Sequence, residues 1–559
     1  MPGGLMQLVN RGAQDQLTTG NPTFTHFRSV YKRHTEFAME HFVLNFRGVN
    51  LDLNTQFTKT FRAKVDRNAQ LLHDCYVHVS LPDIFSPVHP LLHAVGTTGP
   101  INNSSTAIGY EFQWIPNIGY NMINSVSILV NGTAIVTHTG EWMKLYSYLN
   151  YNGTKRQVLD KLVGNLPELT DPANALDRYN QYPHSITSTT HAAPSIQGRE
   201  LVIPLHFWFC ENIGAALPLV ALQYSEVEIV VEFKNIYSLF TVRDVRQSSP
   251  TFGMRIAPTA AAPEFAMNHF LSPPNQDGSP ENITLTSWVL NPYIDATYIF
   301  LSDPEVIQLA KSDNSFMIKE MRIVQQDSVY GPGNDLELTM MNLCTRVVWV
   351  GQRSDVLANN GVDNYTNWYT GNLPLQTSTH DVTPWFSTGN ATGQNIGSQN
   401  VIVDATLIFD GAEREQTKPQ EFYSLLQNYR HHSGQLLPGV HTYSFALDHH
   451  TTQPSGHVNG SMFNKTILRV TTQDPPTPVY TGFAIQGTVA PLCVLKSSAL
   501  NNRPVVITNI AGVNRDQTVS IISKQDSVVR AYTYTVRAFV ESYNFLRITR
   551  GIANVVFSS

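Results

Sequence analysis

Charge is scarce in this chain of 559 residues: Asp, Glu, Lys and Arg together make up 14%, and the net charge is -6. Gripping nucleic acid through its phosphates takes concentrated Lys and Arg, so no direct nucleic-acid contact is expected. Cysteine is scarcer still. Cys75, Cys210, Cys344 and Cys493 stand far apart in apolar surroundings, with no C-x-x-C pair among them. That argues against a disulfide framework and for buried thiols in a reducing compartment. No apolar run reaches the roughly 18 residues of a membrane-crossing helix. The opening MPGGLMQLVNRGAQDQL lacks the charged-then-apolar order of a signal peptide, so a soluble chain without one is expected.

The familiar devices of catalysis are missing as well. There is no H-E-x-x-H, no Gly-Lys dipeptide for a P-loop and no G-x-S-x-G elbow, and the sole G-x-G is Gly331-Pro332-Gly333. Metal-dependent β-sandwich enzymes usually draw ligands from a His-x-His strand, and none is present. His431-His432 and His449-His450 are the best remaining ligands, because imidazole suits zinc or copper. Neighbours on an extended chain point to opposite faces, however, which makes such pairs poor chelators and reads better as loop histidine. Glu226 and Glu228 alternate with Val227 and Ile229, the pattern of the solvated side of a half-buried strand. The expectation is no enzyme, no cofactor and no metal.

What is present is a great deal of strand. Hydrophobic residues make up 42%, and Gly, Pro, Asn and Thr interrupt them about every ten residues, as many short strands joined by turns require. One stretch, SVSILVNGTAIVTHTGEWMKLYSYLN (125–150), organises the rest. Val126, Ile128 and Val130 alternate with polar residues, Asn131-Gly132 makes a hairpin turn, and Trp142 to Leu149 suits a short helix or ordered loop. The same order returns in DATLIFDGAEREQTKPQEFYSLLQNY (404–429), with Ala405, Leu407 and Phe409, the turn Asp410-Gly411, and the apolar segment Phe422 to Leu426. A strand–loop–strand block at 203–233 is likewise echoed at 439–470. Repeated order implies a repeated unit, and 559 residues exceed what one core holds.

The organisation expected is an N-terminal arm at 1–24, a first β unit at 25–245, a Pro- and Ala-rich linker at 246–284 and a second β unit at 285–559. About eight strands per half with long polar loops suits two tandem antiparallel eight-stranded jelly rolls, an all-β fold with long loops and short helices. Leu5, Leu8, Val9 and Leu17 make the arm more apolar than a free tail needs, which favours packing on a neighbour. Arg28, Lys32, Arg33 and His34 interleave with Phe27, Tyr31 and Phe37, a cluster that suits a solvated strand edge or an acidic partner. Asn-x-Ser/Thr sequons at Asn102, Asn282, Asn364 and Asn390, several of them in the long loops, are candidate glycan sites.

GGLMQLVNRGAQDQLTTGNPTFTHFRSVYKRHTEFAME resembles the N-terminal signature of the double jelly-roll major capsid proteins of large nucleocytoplasmic DNA viruses. NIGYNMINSVSILVNG, HTGEWMKL and FWFCENIGAALPLVALQYSEVEI are similar to that family's first jelly roll, and DGAERE, HTYSFALDHHTTQPSGHVN and SYNFLRITRGIANVVFSS to its second. QPSGHVNGSMFN and LSDPEVIQLAKSDN depart from the family at loop or strand-end positions. The resemblance implies a homotrimeric, pseudo-hexagonal capsomer that tiles the icosahedral shell of a large double-stranded DNA virus. It implies the outer capsid of the virion as the location, with assembly in the host cytoplasm. Partners would be neighbouring capsomers, minor capsid and penton proteins, and an internal membrane nearby, with Leu5, Leu8, Arg28, Lys32 and Arg33 as inward-facing arm contacts. Two other readings share the fold: a glycan-binding sandwich using Trp114, Trp368, Tyr369 and Trp385 in its loops, and a metal-bearing sandwich enzyme.

Overall fold

Asn131-Gly132 and Asp410-Gly411 both adopt left-handed backbone, with φ of 51° and 79° in the first pair and 47° and 85° in the second. A two-residue hairpin loop of type I′ needs positive φ at both positions, and each pair joins two antiparallel strands. In this computed structural model the two hairpins are matching corners of two sandwiches. Residues 3–48, 57–87, 109–178, 181–185, 193–245, 255–259, 262, 265–273, 288, 290–368, 399–449, 453–475 and 532–557 are described.

The first sandwich is built from β1 (Phe37–Arg47), β2 (Lys59–Lys64), β3 (Leu71–Leu81), β4 (Ile123–Val130), β5 (Thr133–Thr139), β6 (Arg199–Pro204), β7 (Val227–Phe233) and β8 (Tyr293–Leu301). The second is built from β9 (Asn314–Val329), β10 (Asn334–Glu337), β11 (Leu343–Arg353), β12 (Ile402–Phe409), β13 (Ala412–Pro419), β14 (Val440–Ser444), β15 (Thr466–Thr472) and β16 (Tyr534–Thr549). Strands run β1-β8-β3-β6 and β2-β7-β4-β5 in the first, and β9-β16-β11-β14 and β10-β15-β12-β13 in the second. Adding eight to every label of the first set gives the second. The wiring itself is duplicated, and it is the jelly-roll order. In the first sandwich β1 also joins the two sheets: Phe37 to Asn45 pair with β8, while Phe46 and Arg47 pair with β2.

Period-two burial explains the strands. Val227, Ile229, Val231 and Phe233 of β7 are buried, and the residues between them are half-buried. Cys75, Val77, Val79 and Leu81 of β3 enter the first core. Tyr534, Val536, Ala538 and Val540 of β16 enter the second. In β16 the alternation stops, and residues 538 to 544 are all buried. A strand loses its period where both faces are covered.

The expected boundary at 284/285 does not coincide with the sheets. Tyr293–Leu301, assigned by pattern to the second unit, is β8 and is hydrogen-bonded between β1 and β3 of the first. Periodicity identifies a strand but not its partner. The described part of the expected linker is also no free connector: Arg255–Ile256 pairs with Phe240–Arg243, and Phe265, Met267 and Phe270 lie in the first core. In the arm, where no period is visible, the chain forms the short helices Gly3–Val9 and Gln16–Thr19, with no buried residue in either.

Candidate functional site

The segment after each hairpin decides how the two sandwiches meet. Gly140–Asn150 is a helix capped by Thr139, whose hydroxyl accepts a hydrogen bond from the Trp142 amide at 3.2 Å. It can start only on glycine, because a Cβ at Gly140 would collide with the Tyr120 and Ile123 carbonyl oxygens. Met143 points into the first core. Trp142, Leu145, Tyr146 and Leu149, one helical stripe, instead cover Val348, Val350, Val440, Tyr365 and Phe539 of the second sandwich. Trp142 stacks on Phe539 with ring centroids 5.8 Å apart. Each such side chain buried is worth about 1.5–3 kcal/mol of transfer free energy.

Charged groups frame this apolar seam. Arg537 donates to Glu141 at 2.8 Å, and the Tyr365 hydroxyl donates to the same carboxylate at 2.8 Å. Lys144 is hydrogen-bonded to Asp363, which also accepts from Asn117 at 2.6 Å and Asn121 at 2.7 Å. Arg346 pairs with Glu541 at 2.7 Å and reaches Asn150 at 3.1 Å. Lys319 donates to Glu211 at 3.2 Å. Burial would raise the Glu141 carboxyl, but Arg537 and Lys144 outweigh it and hold the group below the usual carboxylate range. Glu541 follows the same rule, with Arg346 and Lys319 overcoming burial. Burial pulls Lys319 down, yet Glu211 and Glu541 prevail and raise it. Buried charges answered on every side fix one relative orientation, since any other leaves some of them unpaired.

Beside the seam lies a cavity of about 1060 Å³, bordered by Asp74, Tyr76, Lys155, His206, Cys210 and Lys319. His206 is hydrogen-bonded to Tyr120 at 2.9 Å and Tyr151 at 3.3 Å. Burial, reinforced by neighbouring His138 and by Lys and Arg groups, lowers it to about 3. Burial pushes the Cys210 thiol well up, and the adjacent Cys75 adds to that. Among the described residues no group of three or more His, Cys, Asp or Glu is placed to hold a metal ion, and no helix is long and apolar enough to cross a membrane.

The residues singled out by sequence fall in separate places. Leu5 and Leu8 are exposed on the first arm helix, and Arg28, Lys32 and Arg33 are exposed further along the arm. His432 and His449 come together as stacked rings, 4.9 Å apart and 8° from parallel, while His431 bonds the Leu447 carbonyl at 2.9 Å. His450 lies outside the described residues. Glu226 is exposed and pairs with Lys64 at 2.7 Å, as a solvated strand face should. Asn364 is tied into a turn, its amide donating to the Trp368 carbonyl and its oxygen accepting from Thr366. Asn102, Asn282 and Asn390 lie outside the described residues, as do Tyr369 and Trp385. Trp114 is not a loop aromatic: it sits in the short strand Phe112–Trp114, 1% exposed, within the first core. The seam carboxylates were not legible in the sequence, because their partners lie hundreds of residues away.

Two family models match consecutive parts of the chain. One, described as the major capsid protein N-terminus, matches residues 25–265. The other, described as the large eukaryotic DNA virus major capsid protein, matches residues 305–509. A probable capsid protein 4 of Acanthamoeba polyphaga mimivirus is 25% identical over 82% of this chain and 91% of its own length. The major capsid protein of Phaeocystis pouchetii virus is 25% identical over 84% and 93%. Among solved structures, the Faustovirus major capsid protein aligns with a TM-score of 0.59 and 12% identity, covering 96% of this chain and 94% of that one. A chain of the PBCV-1 virus capsid aligns with a TM-score of 0.59 and 17% identity, covering 96% and 100%. These structures share the doubled jelly-roll fold.

Proposed function

This chain belongs to the major capsid protein family of large eukaryotic DNA viruses, a family of structural shell proteins and not of enzymes, and from that membership we propose that three copies form a pseudo-hexagonal capsomer. The observation that carries this reading is the duplicated wiring: two sandwiches of one strand order, held at one angle by a buried seam, give a trimer six similar units around a threefold axis. Such hexagons tile the faces of an icosahedral shell. In it the exposed arm, with Leu5, Leu8, Arg28, Lys32 and Arg33, faces inward to minor capsid and penton proteins and to a membrane beneath. The long loops face outward on this reading, and the sequons Asn102, Asn282, Asn364 and Asn390 remain candidate glycan sites. Assembly takes place in the host cytoplasm. Light scattering of the purified chain tests the core of this reading, since a trimer scatters with three times the 62.4 kDa mass of one subunit. A stable monomer, or micrographs without hexagonal plates, would refute it.

A further inference from the structure

The helix that seals the seam has a twin. Aligned on the duplicated strands, EWMKLYSYLN (141–150) falls on EFYSLLQNYR (421–430), and both segments follow the hairpin between equivalent strands. Met143 and Tyr423 are matched, and each is buried in the core of its own sandwich. The next matches differ in a telling way. Leu145, Tyr146 and Leu149, all buried in the seam, correspond to Leu425, Leu426 and Tyr429. Those three are 67%, 37% and 85% exposed. The second copy thus keeps the apolar residues of the stripe, on a π-helical turn (Phe422–Leu426) that continues into the helix Gln427–His431, and leaves them exposed.

The receiving surface has a twin too. The helix of the first sandwich lies on the outer face of β9-β16-β11-β14, where a row runs Ile323, Phe539, Val348, Thr442. Phe539, Val348 and Thr442 are fully buried beneath it. The equivalent face of the first sandwich, β1-β8-β3-β6, carries the row Val43, Asp295, Tyr76, Pro204, and none of the four is buried. At its β1 edge Met39 and Val43 are 45% and 57% exposed. Among the described residues, then, the seam is made once, and its helix and its receiving face each recur in exposed form, the face being open at its β1 edge while Tyr76 and Pro204 border the cavity described above.

We infer that Leu425, Leu426 and Tyr429 of one copy pack on the outer β1-β8-β3-β6 face of a second copy, repeating between molecules the seam made within each. This rests on the trimeric reading above and deepens it by assigning the contact. The occupant is another copy of this chain because the chain itself displays the fit. The contact is head-to-tail, and three such contacts alternate with three internal seams to close a ring.

Two full-length variants test the assignment, Leu425→Glu with Tyr429→Glu, and Met39→Glu with Val43→Glu, each measured by light scattering beside the unaltered chain. With the unaltered chain at the trimer mass, each variant is expected at the mass of a single subunit, a threefold drop, with the strand signal in circular dichroism unchanged. Variants that stay trimeric overturn the assigned surface and leave the capsomer reading standing. An unaltered chain that is itself monomeric overturns both. Hydroxyl-radical footprinting of the unaltered trimer decides the matter should a variant fail to fold: Tyr429 and Met39 are expected to be at least tenfold protected, and labelling at the rate of free side chains overturns the contact.

Discussion

Arg537, on β16 of the second sandwich, donates a 2.8 Å hydrogen bond to Glu141, in the first turn of a helix belonging to the first. The pair spans 396 positions of sequence and ties the two halves at the rim of their seam. Truncating one partner of a buried hydrogen-bonded charge pair costs about 2–5 kcal/mol, mostly because the other charge stays buried. With side chains 16% and 22% exposed, Glu141→Ala is expected near the lower end of that range, about 2 kcal/mol, by urea denaturation. Glu141→Gln, which keeps an acceptor, should cost less. Equal stability of Glu141→Ala and the parent would show that the pair contributes nothing.

Acid should loosen the molecule before the seam carboxylates Glu141 and Glu541 are protonated. Burial lowers His441, stacked on Trp349, to about 4 and His206 to about 3. Unfolded histidine titrates near 6.5, so below that pH the unfolded chain binds more protons than the folded one. The histidines' contribution to stability is therefore full above about pH 6.5 and is lost as pH falls towards about 4 for His441 and about 3 for His206. Glu141 and Glu541, held low, extend the loss to more acid conditions. His441→Phe keeps the stacked ring and removes one titration. Its urea midpoint should fall less between pH 7 and pH 4.5, a difference of up to about 3 kcal/mol.

Gly434 touches the end of the seam helix so closely that a Cβ would lie 2.7 Å from the Leu149 carbonyl oxygen. Its own amide donates to that oxygen at 2.9 Å. The neighbour is backbone and cannot swing aside, so Gly434→Ala must separate the sandwiches locally. Overpacking of this kind costs about 1–3 kcal/mol. A lower melting temperature with unaltered strand content is the expected result, and an unchanged melt would mean the seam yields freely.

Removing residues 1–24 should leave the trimer intact and stop shell assembly. The two helices of that stretch bury none of their residues, so the sandwiches lose nothing when it goes. Electron microscopy of particles reconstituted from the truncated chain is the measurement, and normal shells would count against an assembly role for the arm.

Local physics made the fold legible and left the seam hidden. Both Asn-Gly and Asp-Gly turns, the strand Val227–Phe233 and the helix after the first hairpin follow from spacing alone. Three things do not. Tyr293–Leu301 alternates like any strand, and only pairing with β1 and β3 shows which sandwich owns it. The helix Gly153–Leu162 depends on its Asn152 cap and lies in a polar stretch without a clear apolar stripe. Glu141 and Lys144 look like solvated helix charges until Arg537 and Asp363 arrive from 396 and 219 positions away. Legibility ended where partners became distant in sequence.

Residues 25–36 lead from the arm into β1, and β1 lies antiparallel along β8 over nine registered residues, Phe37 to Asn45, before turning to grip β2. A pull on the arm acts along that strand, so its hydrogen bonds share the load side by side and do not open one after another like a zipper. The route by which tension enters the molecule is also its stiffest direction, and the anchor should hold until many bonds fail at once.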